Sequence, residues 1–397
     1  MRVFLVILDG MGVGPAPDWA AFNATGGATL PAVAHALGGL RLPTFEKLGL
    51  GRIASIDGVA PSASPQGAFG RAAPLATGCD TLTGIRELLG DPRRKRCPVY
   101  PDGLPAAAIA ALSAATGFRF MGNVHARHGR PIVRFGAEHL QRGEPFAYVA
   151  SEGVVVIAAH EDVVPIAVQH SIGERAIAAL WPHGIVRVVV RPFRGAHPNF
   201  VREPAARREF AAPLTGDGHL LTRFGQAPWV RVVAAPHVAA LLRGTHDATV
   251  DVLPDLHTDA DQLAAFLDLL DAPADGDLVA LFCLRQLDEA CHARDLARIG
   301  ALLEQTDVIL AEALRLARPA DLFVITADHG NDPVCTESGH TREFSPILLA
   351  GPAAPEGGDL GTRDTLADVA ATIAACLALP TLAVGRSLID RCVGPSA

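Results

Sequence analysis

Val3-Phe4-Leu5-Val6-Ile7-Leu8 is six apolar residues that stop at Asp9, and Leu322-Phe323-Val324-Ile325-Thr326 runs in the same way into Asp328-His329. A third run, Leu278-Val279-Ala280-Leu281-Phe282-Cys283-Leu284, leads toward Asp288 and His292. Near-continuous apolar runs of this length read as parallel strands covered on both faces by helices. Helical spacing of apolar residues fills the gaps, at 259–270, 302–317 and 365–377. The pattern predicts an α/β core with a mostly parallel central sheet. Ligands of such sheets gather outside the carboxyl ends of the strands, and that is where the Asp and His residues fall.

Working outward, residues 96–214 have a different texture. A helix is expected at 106–115, strands at 146–150, 154–158 and 185–190, and arginines follow at 191, 194, 202, 207 and 208. This reads as an α+β domain inserted into the first, giving a core at 1–95, an insert at 96–214 and a return to the core at 215–397. The 397 residues suit two domains or three at about 150 residues each.

Composition narrows the function. Hydrophobic residues are 49% and charged residues 19%, which excludes intrinsic disorder. With a net charge of −8 and no Lys/Arg run beyond Arg93–Arg96, the chain is a poor candidate for nucleic-acid binding. No run reaches the roughly 18 apolar residues of a membrane span. Seven cysteines, at 79, 97, 283, 291, 335, 376 and 392, form no CxxC pair. A disulfide framework is therefore not expected, and a reducing, cytoplasmic setting is.

Thr326-Ala327-Asp328-His329-Gly330-Asn331-Asp332, followed by His340-Thr341-Arg342-Glu343, is the strongest chemical signal. Mixed oxygen and nitrogen ligands of this kind suit a divalent metal. With Asp9, Asp288 and His292 the set becomes Asp9, Asp288, His292, Asp328, His329 and His340, enough for two metals in an in-line displacement at phosphorus. Asp80-Thr81-Leu82-Thr83-Gly84 offers two hydroxyls as nucleophile in a Gly-flanked turn. Arg191, Arg194 and Arg202 lie where a phosphate clamp could form. Gly10-Met11-Gly12-Val13-Gly14 looks like a dinucleotide loop, but Pro15 and Pro17 oppose the helix that this reading needs.

These residues point to a family. Over nearly its whole length the chain resembles the phosphopentomutases of the alkaline phosphatase superfamily, in segments 7–14, 43–51, 76–84, 157–165, 187–202 and 326–343. The resemblance implies an alkaline-phosphatase-like core with an inserted cap. It implies two Mn²⁺ ions, one on Asp288, His292 and His340 and one on Asp9, Asp328 and His329, though the ligand set also suits other divalent metals. It makes Thr81 the phosphorylated residue and Glu152, Arg191, Arg202 and Arg207 substrate contacts. The implied reaction interconverts ribose 1-phosphate and ribose 5-phosphate through a bisphosphate intermediate, primed by a sugar bisphosphate.

The departures cluster near the substrate. Cys79 replaces a lysine, and Ile85-Arg86 replaces His-Trp, leaving Arg86 to restore a positive charge. Ala235-Pro236 replaces Gly-Lys, and Asp288-x₃-His292 is one residue shorter than the family's spacing. A phosphohydrolase, a mutase for another sugar phosphate and a catalytically silent homologue are the alternatives these leave. Oligomeric state is not fixed by the sequence.

Overall fold

In the computed structural model, which describes residues 1–22, 26–126, 130–214, 218–236, 238–239, 250–253, 256–273, 276–335 and 339–389, the three apolar runs are neighbouring strands. The expected return to the core at 215 and the last cysteine, Cys392, lie outside the described residues. The described residues form two compact units. One contains Met1–Lys95, Leu214–Ala239 and the described part of Thr245–Ala397; the other contains Arg96–Pro213.

The first unit is built on eight strands: β1 (Arg2–Leu8), β2 (Ala68–Ala72), β3 (Val230–Ala234), β4 (Val250–Val252), β5 (Asp277–Leu284), β6 (Asp321–Thr326), β7 (Ser345–Ala350) and β8 (Asp359–Arg363). Their order in the sheet is β4-β3-β5-β1-β6-β7-β2-β8. Only β7 among them runs against its neighbours, β6 and β2. The expected α/β core with a mostly parallel sheet is therefore what the chain forms. β1 lies between β5 and β6, in register from Arg2 opposite Leu278 and Asp321 to Ile7 opposite Cys283 and Thr326. Every residue of β1 is buried, as a strand covered on both faces requires.

Aromatic packing fixes one layer. Phe4 and Phe323 on adjacent strands meet Phe266 of the Asp259–Asp271 helix, with ring centroids 5.4–5.6 Å apart. At the amino ends of the strands, Arg2 makes a bidentate pair with Asp321 at 2.8 and 2.6 Å and donates to the carbonyls of Leu269 and Leu270. The charges are thus satisfied within the core, far from the strand ends that carry Asp9 and Asp328. The Leu296–Leu316 helix starts six residues before the expected 302, because Asp295 caps it by accepting from the Arg298 amide. Its buried Asp307 accepts from the first amides of the Pro43–Leu48 helix, those of Thr44 and Phe45. That remote carboxylate satisfies donors that a helix start otherwise leaves unpaired.

The second unit holds a five-stranded mixed sheet, ordered 121–125, 146–151, 154–158, 187–190 and 208–211. Its strands alternate faces with a period of two. Ala147, Val149, Val155 and Ile157 pack with Leu112, Ile172 and Ala176 of two helices, Ala106–Thr116 and Ile166–Leu180. Phe146, Tyr148 and Val156 form the other face with Phe135 and Phe193. The insert is α+β, as its texture indicates.

Truncating Phe4 to Ala empties the middle of the aromatic layer. It is expected to lower unfolding free energy by roughly 3–5 kcal/mol, read as a lower urea midpoint at unchanged slope.

Candidate active site

Each central strand delivers its polar residue on leaving the sheet. Asp9 follows β1, Asp328 and His329 follow β6, and the Arg285–Ala293 helix after β5 carries Asp288 and His292 one turn apart. The spacing of four places both side chains on one helix face. His292 Nε2 lies 3.3 Å from Asp288 Oδ2 and 3.1 Å from His340 Nε2. His340 enters from the segment that pairs Thr341 with Gly330, next to His329. The His329 and His340 rings are 4.2 Å apart between centroids. All six residues singled out in the sequence thus gather in one cluster. Ligand atoms of Asp9, Asp328 and His329 lie within 4.8 Å of one another, as do those of Asp288, His329 and His340. His329 bridges the two groups.

Thr81 begins the Thr81–Leu88 helix, and Asp80 caps it by accepting from the Thr83 amide and hydroxyl. The expected turn is therefore a helix start. The Thr81 hydroxyl donates to Asp9 Oδ1 at 3.3 Å, and its Oγ1 is 3.1 Å from His329 Nε2. Thr83 faces Asp80 instead, so geometry singles out Thr81. Gly84 makes this approach possible: a Cβ there would sit 2.2 Å from the Asp328 carbonyl oxygen. Any side chain would lever the helix away from the strand end.

The electrostatics are those of a cation site. Burial, followed by the charge of Asp9, pushes the Asp328 carboxyl well above its usual range. Burial alone would lower His329, but Asp328 and Asp9 outweigh it and hold the imidazole well above its ordinary value. Burial also opposes ionisation of Asp288, yet the imidazoles of His292 and His340 hold that carboxyl below the usual range. Asp328 Oδ2 is buried with no hydrogen bond. Three carboxylates and three imidazoles turned toward one volume, with an orphaned oxygen among them, fit divalent metals.

A second layer of residues orients the ligands. Asn331 Nδ2 donates to Asp288 Oδ1 at 2.7 Å, and the Asn331 amide reaches the Thr29 hydroxyl oxygen and the Gly10 carbonyl. Thr29 in turn donates from its hydroxyl and amide to Glu343, which also accepts from the Gly14 amide and the Thr341 hydroxyl. Asn331 and Glu343 lie inside the Thr326–Glu343 motif but nothing in their spacing gives them a role, and Thr29 carries no local signal. Cys283 Sγ lies 3.5 Å from Asp9 Oδ2, but burial keeps its thiol protonated. Burial likewise raises Cys79 and Cys291, so neither is an activated nucleophile.

A family model described as "Metalloenzyme superfamily" matches residues 248–381, which hold five of the six candidate ligands. The chain is 36% identical over 402 residues to a phosphopentomutase of Syntrophotalea carbinolica, with 98% of each protein covered. It is 35% identical to phosphopentomutases of Herpetosiphon aurantiacus and Caldanaerobacter subterraneus, covering 98% of this chain and 98% and 97% of theirs. The chain belongs to the phosphopentomutase family. It is an enzyme of the phosphotransferase and isomerase kind, with a metalloenzyme core and residues able to hold divalent metal.

The remaining expected residues fall in two places. Arg86, which a phosphopentomutase-like site would use as a replacement cation, is buried on the far side of the Thr81–Leu88 helix and pairs with Asp91 at 2.5 Å. Five positions after Thr81 on a helix is about 140° away, at 100° per residue, so Arg86 contributes to the core. The other four lie in the second unit. Arg191, Arg202 and Arg207 line one cleft of about 190 Å³ with Pro192, Glu203 and Pro204. Glu152 is exposed at the two-residue turn between strands 146–151 and 154–158.

Replacing Asn331 with Ala frees the Asp288 carboxylate and is expected to weaken divalent-metal affinity roughly 10–100-fold, measured by titration calorimetry of the metal-free chain. A second test concerns Asp259, which accepts from the Gln286 amide at the start of the helix carrying Asp288. Burial pushes Asp259 up to about 7 from 3.8. The folded chain therefore holds this proton more tightly than the unfolded one, and stability falls as pH rises between those values. Asp259→Asn keeps the acceptor without the charge. Its stability relative to the parent should improve across that window and level off above it, measured by urea denaturation in metal-free buffer.

Proposed function

We propose that the chain interconverts ribose 1-phosphate and ribose 5-phosphate, or a close sugar-phosphate analogue, by phosphoryl transfer through Thr81. The observation that carries the reading is the Thr81 hydroxyl, 3.3 Å from Asp9 Oδ1 and 3.1 Å from His329 Nε2. Two Mn²⁺ ions, held by Asp288, His292 and His340 and by Asp9, Asp328 and His329, would lower the pKa of that hydroxyl and neutralise charge on the phosphoryl oxygens.

The chain's own residues supply position and orientation. Asp80 fixes the first turn of the helix so that Thr81 Oγ1 is aimed at the ligand cluster. Oγ1 attacks the phosphorus of a sugar bisphosphate in line. The Oγ1–P bond forms as the bond from phosphorus to the sugar oxygen breaks, leaving phosphothreonine and a sugar monophosphate. A monophosphate then takes the group back on its unphosphorylated hydroxyl, giving the bisphosphate, and loss of the other phosphate to Thr81 completes the isomerisation. The hydroxyl proton ends on the sugar oxygen that leaves phosphorus, while Asp9 Oδ1, the acceptor that Thr81 already has, orients the hydroxyl for attack. In the loose transition state charge spreads over the equatorial oxygens, and positive groups there act without reorganising.

Arg191, Arg202 and Arg207 support recognition of a phosphate, because the three residues line one small cleft and Arg binds phosphate bidentately. Glu152 takes the role of a sugar-facing carboxylate. No helix among the described residues is long and apolar enough to cross a membrane. The reading is of a cytoplasmic enzyme acting on a small molecule, with no nucleic-acid or membrane partner.

The deciding assay gives Mn²⁺-loaded, bisphosphate-primed protein ribose 1-phosphate and resolves ribose 5-phosphate from free phosphate. Ribose 5-phosphate without phosphate release is expected; stoichiometric phosphate without the isomer would make the chain a hydrolase. Thr81→Ala should lower turnover by roughly a thousandfold or more, and parental turnover by that variant would remove Thr81 from the mechanism.

A further inference from the structure

We propose that Arg342 is the positioning residue for the nucleophile, holding the segment ahead of Thr81 in the geometry from which its hydroxyl reaches the metal-ligand cluster. This rests on the reading of Thr81 above. Arg342 is 2% exposed and follows the ligand His340 by two residues. Its Nε and one Nη2 hydrogen grip both oxygens of Asp18, at 3.0 and 2.9 Å. Nη1 donates to the Ala76 and Gly78 carbonyls at 2.6 and 3.0 Å, and Nη2 to the Pro74 carbonyl at 2.5 Å. A guanidinium has five N–H donors, and these five contacts use all of them. The group also stacks on Phe22, 4.1 Å from the ring centroid. No donor is left for a substrate phosphate, so the residue acts through what it holds.

What it holds is the connection from β2 to the nucleophile helix. Residues 74–78 pair with no strand, so their buried main-chain groups need side-chain partners. On the N–H side Glu87 accepts from Leu75 and Ala76, and the Arg93 carbonyl accepts from Thr77. Arg342 takes the C=O side. The segment is pressed onto the first helical turn, where a Cβ on Gly78 would be 2.6 Å from Thr83 Oγ1. Arg342 itself extends from the stretch in which Thr341 pairs with Gly330, one residue after His329. A single side chain therefore ties the metal-ligand segments to the nucleophile's leading segment. With Cys79 where the family has lysine, no cationic side chain directly precedes Asp80-Thr81 to share that task.

The test compares Arg342→Lys with the parent, both as full chains, for kcat, KM, bound Mn²⁺ and thermal unfolding, with Thr81→Ala alongside. Lysine keeps the charge but cannot bridge Asp18 and three carbonyls. A misplacement of about 1 Å at a reacting group costs on the order of a hundredfold. The expected result is kcat down by that order, KM for the sugar phosphate within about twofold of the parent, and unchanged Mn²⁺ content. Unchanged kcat would overturn the proposal. So would a raised KM at full kcat, which would make Arg342 a substrate contact, or a loss that extra Mn²⁺ restores. Thr81→Ala separates the two readings: if it turns over normally, the nucleophile assignment fails, and if it is inactive while Arg342→Lys is normal, only the present proposal fails. Should Arg342→Lys not fold, Asp18→Asn weakens the same grip from a half-exposed residue, and roughly a tenfold kcat loss at constant KM is expected on the same scale; no loss overturns the proposal. If the parent does not turn over ribose 1-phosphate, amide hydrogen exchange at residues 76–82 replaces kcat. Faster exchange there with 326–329 unchanged supports the proposal, and equal exchange refutes it.

Discussion

The carboxylate of Glu343 is the constraint on which the site depends. It is wholly buried, and burial opposes its charge, so it must be surrounded by donors. Those donors come from three loops: Gly14 after β1, Thr29 at the start of the Thr29–Leu37 helix, and Thr341 beside His340. Glycines at 12, 27 and 330 leave room for it, since a Cβ at any of them would lie within 2.3–2.7 Å of a Glu343 carboxylate oxygen. Satisfying one buried charge therefore brings the three loops to one point. Thr29 passes the order on to Asn331, and Asn331 to Asp288. Asp288 on the Arg285–Ala293 helix is thus held by a relay that begins at Glu343, outside the cluster of six Asp and His residues.

The metal-ligand end of the sheet and its core end solve opposite problems. Arg2 and Asp321 neutralise each other inside the protein with good geometry. Asp9, Asp288 and Asp328 crowd together instead, with Asp328 left partly unsatisfied. Strand register connects the two ends: the same residues of β1 and β6 that align Arg2 with Asp321 align Ile7 with Thr326. Charge is paired at one end of the strands and crowded at the other.

The central strands were legible because their apolar runs end at Asp and His, and three such endings in one chain are hard to produce otherwise. All six candidate metal ligands were picked out for the same reason, and the structure brings them into one cluster. The edge strands were not. β8 reads Asp-Leu-Gly-Thr-Arg and buries only Leu360 and Arg363, so it carries no apolar run. Arg86 misled because charge alone does not say which side of a helix a residue occupies. Arg342 and Glu343 sit in the most visible motif, yet their partners Asp18, Thr29 and Pro74 are roughly 270–320 residues away. Local spacing carries no trace of contacts at that separation.

The central place of β1 has a consequence for how the chain is made. β1, made long before its partners, lies between two strands that begin at residues 277 and 321, and synthesis proceeds at about 5–20 residues per second. The most apolar segment of the first unit must therefore wait many seconds for both neighbours, while the sheet at 121–211 can be completed in the interval. Pairings of such long range form slowly. The nascent protein carries an unsealed hydrophobic strand for that interval, and the pace of translation and the supply of chaperones bear on its yield as directly as the final stability of the sheet.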